Sequence, residues 1–236
     1  MCGRYSLAPT EFSEIQLEFQ VAGMGSEPPP RYNIAPSSGP GHEPPIVLRE
    51  PGGERQLQLA RWWLIPAFWG RPLHALPTSF NARAEELGSK RFWSRSFDTR
   101  RCLVPATGWR EFTGPTGRRQ PHHFHYDHRL FAFAGIWDEW LSPEGLAVRS
   151  FAIVTVPANE VVSAVHDRMP LRVEAEYHTR WLDPEVPGAE ALESVRAAVA
   201  PAPSAHECDP AGNDVRRDGP EVIAPVQRRQ LDLFGG

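Results

Sequence analysis

Twenty-five prolines and nineteen glycines are spread along 236 residues, and this distribution constrains the fold more than any other feature of the chain. Proline has no backbone N–H and a fixed φ, so it ends helices and is tolerated in sheets at edges and first positions. Clustered, these residues would signal disorder. Dispersed among aromatic and β-branched runs, they mark turns in a loop-rich fold. The segments between them are short, and strands and helices mix without a regular βαβ alternation. That pattern predicts an α+β domain with a strand-rich core, barrel-like or of curved sheets, flanked by short helices.

Thr10 is placed to cap a helix carrying Phe12, Ile15, Phe19 and Ala22 at helical spacing, ending near Gly23 and Gly25. Residues 27–45 hold seven prolines and read as an extended arm. Ile46 to Arg49 and Arg55 to Trp63 read as a hairpin turned by Pro51-Gly52-Gly53. Arg83 to Phe97 reads as helix interrupted at Gly88. Strands are predicted over Arg101 to Phe112, Pro121 to Tyr126, Leu130 to Trp137 and Val148 to Val156. Helices are predicted over Leu171 to Leu182 and Ala189 to Val199, followed by a polar tail. One domain over residues 1–226 and a tail over 227–236 is the expected organisation, as a monomer, since no segment reads as an interface helix.

A net charge of −4 argues against bulk electrostatic capture of nucleic acid and leaves room for a local basic cleft built from a few arginines. Cys2, Cys102 and Cys208 have neither disulfide-framework nor metal-ligand spacing and read as thiols of a reducing compartment. With no signal-peptide pattern and no membrane-length apolar run, a cytoplasmic protein that does not engage membranes is expected.

Met1 precedes a small residue and is of the kind normally cleaved. Cleavage would leave Cys2 with an α-amine and a thiol on adjacent carbons. Such a pair condenses with an aldehyde: the amine forms an imine, and the thiol closes a five-membered thiazolidine in an intramolecular step. Four segments place polar groups among small and apolar residues: Asn81-Ala82-Arg83-Ala84-Glu85, residues 105–112 around Glu111, Ala134-Gly135-Ile136-Trp137, and His166-Asp167-Arg168-Met169-Pro170.

Together with Met1-Cys2-Gly3-Arg4-Tyr5, Arg31-Tyr32-Asn33-Ile34-Ala35-Pro36 and Val222-Ile223-Ala224-Pro225, these motifs resemble the SOS-response-associated peptidase family of abasic-site processing proteins, in the family's order and over nearly the whole chain. The resemblance implies that Cys2 traps the open-chain aldehyde of an abasic site in single-stranded DNA as a thiazolidine cross-link, with Asn81, Glu111 and His166 around it. His166 suits the general acid that opens the sugar hemiacetal, Glu111 the proton shuttle and anchor for the amine, and Asn81 the group that orients amine or sugar. The same imine can partition to β-elimination, a weak lyase activity, and a peptidase-type removal of Met1 is a further expectation. Arg4, Arg83 and Arg168 would bind phosphates, and Phe68 and Trp69 match the family's aromatic pair that stacks on bases. The chain departs from the pattern at Arg110-Glu111-Phe112, where an aromatic-Glu-Trp ending is usual, and at Trp63-Leu64, where Trp-Gly is usual.

An N-terminal-cysteine amidohydrolase or protease is the alternative, with the α-amine as base to its own thiol and Asn81 in an oxyanion hole. Non-catalytic readings remain for each residue: His166 as a structural histidine, Asn81 as a helix cap, Phe68 and Trp69 as core. Among His122, His123, His125 and His128, strand alternation sets His122 apart from His123 and His125, so no three converge and neither metal nor cofactor is expected. Gln230-Leu231-Asp232-Leu233-Phe234 resembles the short motif by which bacterial repair proteins dock on the sliding clamp, with Gln230 as polar contact and Leu231, Leu233 and Phe234 as the apolar part. A nucleoid or replication-fork association would follow.

Overall fold

The computed structural model describes residues 2–9, 11–22, 27–37, 42–198 and 200–226. The tail residues Gln230, Leu231, Leu233 and Phe234 lie outside this set, as does Thr10.

In chain order the elements are β1 (Arg4–Leu7), α1 (Phe12–Phe19), β2 (Arg31–Ile34), β3 (Pro45–Arg49), β4 (Arg55–Leu59), β5 (Arg61–Trp62), β6 (Asn81–Arg83), α2 (Arg91–Thr99), β7 (Arg101–Ala106), β8 (Gly108–Thr113), β9 (Gln120–His125), β10 (Phe131–Leu141), β11 (Ala147–Pro157), α3 (Glu160–Ser163), β12 (Arg168–Pro170), β13 (Arg172–Val173), α4 (His178–Leu182), α5 (Gly188–Ala197) and β14 (Ser204–Glu207). They form two sheets. The smaller runs β14-β9-β8-β1-β2 and the larger β12-β11-β10-β7-β3-β4, with β13 on β10 and with β5 and β6 beside β11. Pairing is antiparallel except where β5 and β6 meet β11. The α+β class stands, as two sheets and not a closed barrel.

An aromatic layer holds the sheets together. Alternation puts Tyr5, Trp109 and Phe124 on one face of the smaller sheet. Tyr5 meets Trp62 edge-on at 5.1 Å between ring centroids, and Trp109 meets Phe133 at 5.9 Å and stacks on Phe124 at 5.1 Å. Each such ring buries a large apolar area and adds edge-to-face attraction of about 0.5–1.5 kcal/mol per pair.

Several sequence expectations are corrected. Residues 101–112 form two strands in different sheets, divided at Thr107, whose backbone N–H donates to Ser6 O (2.8 Å) and whose hydroxyl accepts from the Ala8 N–H (3.2 Å). Helix α1 is capped by Glu11 and Glu14 in a reciprocal box and ends at Gln20 in the left-handed region (φ 53°), not at glycine. The helix read over 83–97 starts only at Arg91, because Asn81–Arg83 add to the larger sheet. Leu171 onward begins as strand β13 before turning helical at His178. The polar tail is also structured: β14 pairs with β9, placing His206 opposite His123, and Val226 N–H donates to Glu207 O.

The arm residue Asn33 explains that last correction. Its Nδ2 donates to the carbonyls of Gly212 (3.2 Å), Asp214 (3.0 Å) and Arg217 (2.7 Å), while its Oδ1 accepts from the buried Arg110 guanidinium. Asp218 in turn accepts from the backbone N–H groups of Tyr32 and Asn33 and pairs with Arg31. The arm motif is therefore a clamp on residues 212–218.

Candidate active site around Cys2

Strand β1 lies beside β8 with Arg4 opposite Arg110, so Glu111, one residue further along β8, comes level with the start of the chain. The edge strand β6 of the larger sheet approaches from the other side. There Asn81 Nδ2 donates to the Cys2 carbonyl at 2.7 Å, and Asn81 Oδ1 is buried with no hydrogen-bond partner. Cys2 itself is fully buried, and its thiol makes a weak 3.6 Å contact with Arg4 O.

Beside it opens a cleft of about 770 Å3 lined by Gly3, Arg4, Phe80, Glu111, Arg119 and His166, among others. A somewhat larger cleft, about 830 Å3, lies between α1 and the proline-rich arm and contains no cysteine and no buried carboxylate. The former is the one with a buried carboxylate and a histidine in its lining, directly beside the first residues of the chain.

Burial raises the Cys2 thiol pKa well above its ordinary value, and the neighbouring Glu111 charge adds to the rise. The same burial pushes Glu111 up to about 7, against the pull of the chain's positive amino terminus. A carboxyl near 7 can take and return a proton at neutral pH. Burial and that same amino-terminal charge lower His166. Its Nδ1 accepts the Arg168 backbone N–H at 3.0 Å and also lies 2.8 Å from Asp167 Oδ1. One ring nitrogen cannot accept from the first and donate to the second together, so the lowered pKa selects the neutral ring, with its proton on Nε2.

Cys2, Asn81, Glu111, His166 and Arg4 thus meet at one place. The remaining sequence candidates do not all join them. Arg83 is exposed and shares a strand face with Asn81 by alternation. Arg168 flanks the cleft, but its guanidinium is held bidentately by Glu85 (3.1 and 2.9 Å) and donates to Thr155 O (2.6 Å). Phe68 and Trp69 do not line this cleft. Phe68 is exposed with Arg91 over its ring at 4.9 Å, whereas Trp69 packs edge-on against Phe92.

Sequence reasoning missed Phe80 and Arg119. The available signal for Arg119 is the dibasic pair Arg118-Arg119 in the turn directly after the Glu111 strand. Phe80 had none beyond its place before Asn81.

Comparison with known proteins identifies the family. The family model described as SOS response associated peptidase (SRAP) matches residues 1–217. The chain is 30% identical to the abasic site processing protein YoqW of Bacillus subtilis, covering 94% of this chain and 99% of that one. It is 27% identical to the abasic site processing protein YedK of Escherichia coli, covering 96% and 100%. A solved structure of a protein from Bacteroides thetaiotaomicron superposes with a TM-score of 0.82 at 20% identity, covering 96% of this chain and 100% of that one, which speaks to the fold alone. With the model spanning most of its length and such relatives matched end to end, the chain belongs to the SOS response associated peptidase family.

Proposed function

We propose that this protein processes abasic sites in DNA by capturing the sugar aldehyde on Cys2 as a thiazolidine after Met1 is removed. The observation that carries the reading is that Asn81 holds the Cys2 carbonyl next to a cleft lined by Glu111, His166, Arg4 and Arg119. The names of its relatives, abasic site processing proteins, support the substrate class.

Loss of Met1 turns the Cys2 backbone nitrogen into an α-ammonium beside Glu111. Glu111 takes a proton from it, and the free amine adds to the aldehyde to give a carbinolamine. Glu111 returns its proton to the carbinolamine hydroxyl, which departs as water, and takes the remaining nitrogen proton to leave an imine, while His166 Nε2–H hydrogen-bonds the sugar oxygens as the hemiacetal opens. The thiol sulfur then adds to the imine carbon while its proton passes to the nitrogen. One water leaves and nothing is oxidised or reduced. Asn81, holding the Cys2 carbonyl, fixes the backbone from which amine and thiol both extend. Arg4, Arg119 and Arg83 supply phosphate contacts that fix the strand without reading its sequence. Single-stranded substrate fits a chemistry that needs the sugar splayed away from a duplex.

The test mixes the processed protein, wild type and Cys2→Ala, with a single-stranded oligonucleotide carrying one abasic site, followed by a denaturing gel and intact mass. A heat-stable adduct with wild type alone, at the mass of protein plus DNA minus one water, is the expected result. A processed wild type that forms no adduct would reject capture and redirect the cysteine to amide substrates.

A further inference from the structure

The sequence reading put His123 and His125 on one face, set His122 apart and expected no three histidines to converge; the fold corrects the last point by bringing His128 to the first two. His123 and His125 project from the same face of β9, on the side away from Glu111. The chain then turns back through Asp127 and His128, both at positive φ (52° and 56°), closed by an Arg129 N–H to Tyr126 O bond. This two-residue turn of the primed hairpin kind lays the His128 ring on His125, 3.6 Å between centroids. One ring nitrogen from each of His123, His125 and His128 falls within 4.8 Å of the others. His206, delivered by β14 opposite His123, stands 5.2 Å from His123 and 5.5 Å from His125 between centroids.

We propose that these histidines form a site for a borderline transition-metal ion of the zinc class, held by His123, His125 and His128 with His206 as the fourth ring. The second, independent observation is His123 itself. It is wholly buried, and neither ring nitrogen has a hydrogen-bond partner, a costly state for a polar group that a metal bond removes. Gly108 makes room for it, since a Cβ there would come 2.2 Å from His123 Nε2. His206 Nε2–H donates to Ile223 O at 2.7 Å, which fixes its tautomer and leaves Nδ1 as a lone-pair donor, the usual outer arrangement of a metal-bound imidazole. His125 Nδ1 receives only a long 3.3 Å bond from the His128 N–H. Tetrahedral donors about 2.0–2.1 Å from zinc sit roughly 3.3 Å apart, so donor atoms that now lie within 4.8 Å of one another have to draw in by up to about 1.5 Å, which the exposed His128 turn allows. The ion would fasten β14 and the turn after β9 to the outer face of the small sheet, apart from the Cys2 chemistry.

Tag-free full-length protein, stripped with chelator, is titrated with Zn2+ by calorimetry, and thermal melting is followed with and without the ion. One equivalent bound with a rise in melting temperature is expected. His128→Asn, which tolerates the positive φ, should weaken binding at least tenfold, His125→Gln/His128→Asn should abolish it, and His122→Ala on the opposite face should leave it unchanged. No stoichiometric binding by the wild type, or equal binding by His128→Asn, overturns the site.

Discussion

At the scale of single residues, Glu111 works against stability. The residue is 2% exposed and burial pushes its carboxyl up from 4.5 to about 7, so between these values the folded state holds a proton that the unfolded chain has lost. Stability therefore falls as pH rises through this window, by on the order of 3 kcal/mol for the full shift. Glu111→Gln removes the penalty. In denaturant unfolding the variant should gain on wild type at pH 8 and show no such gain at pH 5, while its adduct formation drops about a hundredfold or more. An equal difference at both pH values would mean that Glu111 is not the group ionising in this range. Cys2, Asn81, Glu111 and His166 were legible in the sequence through the resemblance of their motifs to a family's, since by residue type alone His166 and Asn81 also have structural readings. Phe80 and Arg119 were not, since an aromatic before a strand and a basic turn occur on any surface. Arg168 was legible as a cation but not as a committed one, because its partner Glu85 lies 83 residues away.

At the scale of elements, what sequence patterning revealed was local. The β3–β4 hairpin followed from alternation and a glycine turn, with Gly52 at φ 69°. The β7–β8 division did not, because a continuous apolar run looks the same whether it stays in one sheet or crosses between two. Strand β14 was hidden for another reason: Ser204-Ala205-His206-Glu207 has no strand-like composition and is recruited by β9. Its surroundings depend on Asn33, whose partners are backbone carbonyls about 180 residues away and leave no trace in the sequence. Asn33→Ala would strand those carbonyls and the buried Arg110 guanidinium, a loss of about 2–4 kcal/mol. Limited proteolysis should then cut first within residues 210–222, with adduct formation by uncut protein retained. Unchanged protease resistance would remove Asn33 as the clasp.

For the molecule as a whole, 29 acidic side chains outnumber 25 basic ones, so attraction to DNA cannot come from overall charge. Under the proposed function it comes from the few arginines at and beside the cleft, Arg4, Arg83 and Arg119. Three phosphate contacts on a single strand correspond to a slope of about −2 in log affinity against log salt. Fluorescence anisotropy of an unmodified oligonucleotide from 50 to 200 mM salt, roughly the usual working range, would measure it. A slope several times steeper would place the DNA on a broader basic surface than this cleft. The crossing at Thr107 acts at the same scale. One residue carries the chain from the large sheet to the small one, and its backbone and hydroxyl are both tied to the first strand. Neither sheet can peel away without dragging the other and Cys2 with it, so the protein should lose its structure and the proposed Cys2 chemistry in one cooperative event, with no half-open form that exposes a bare thiol.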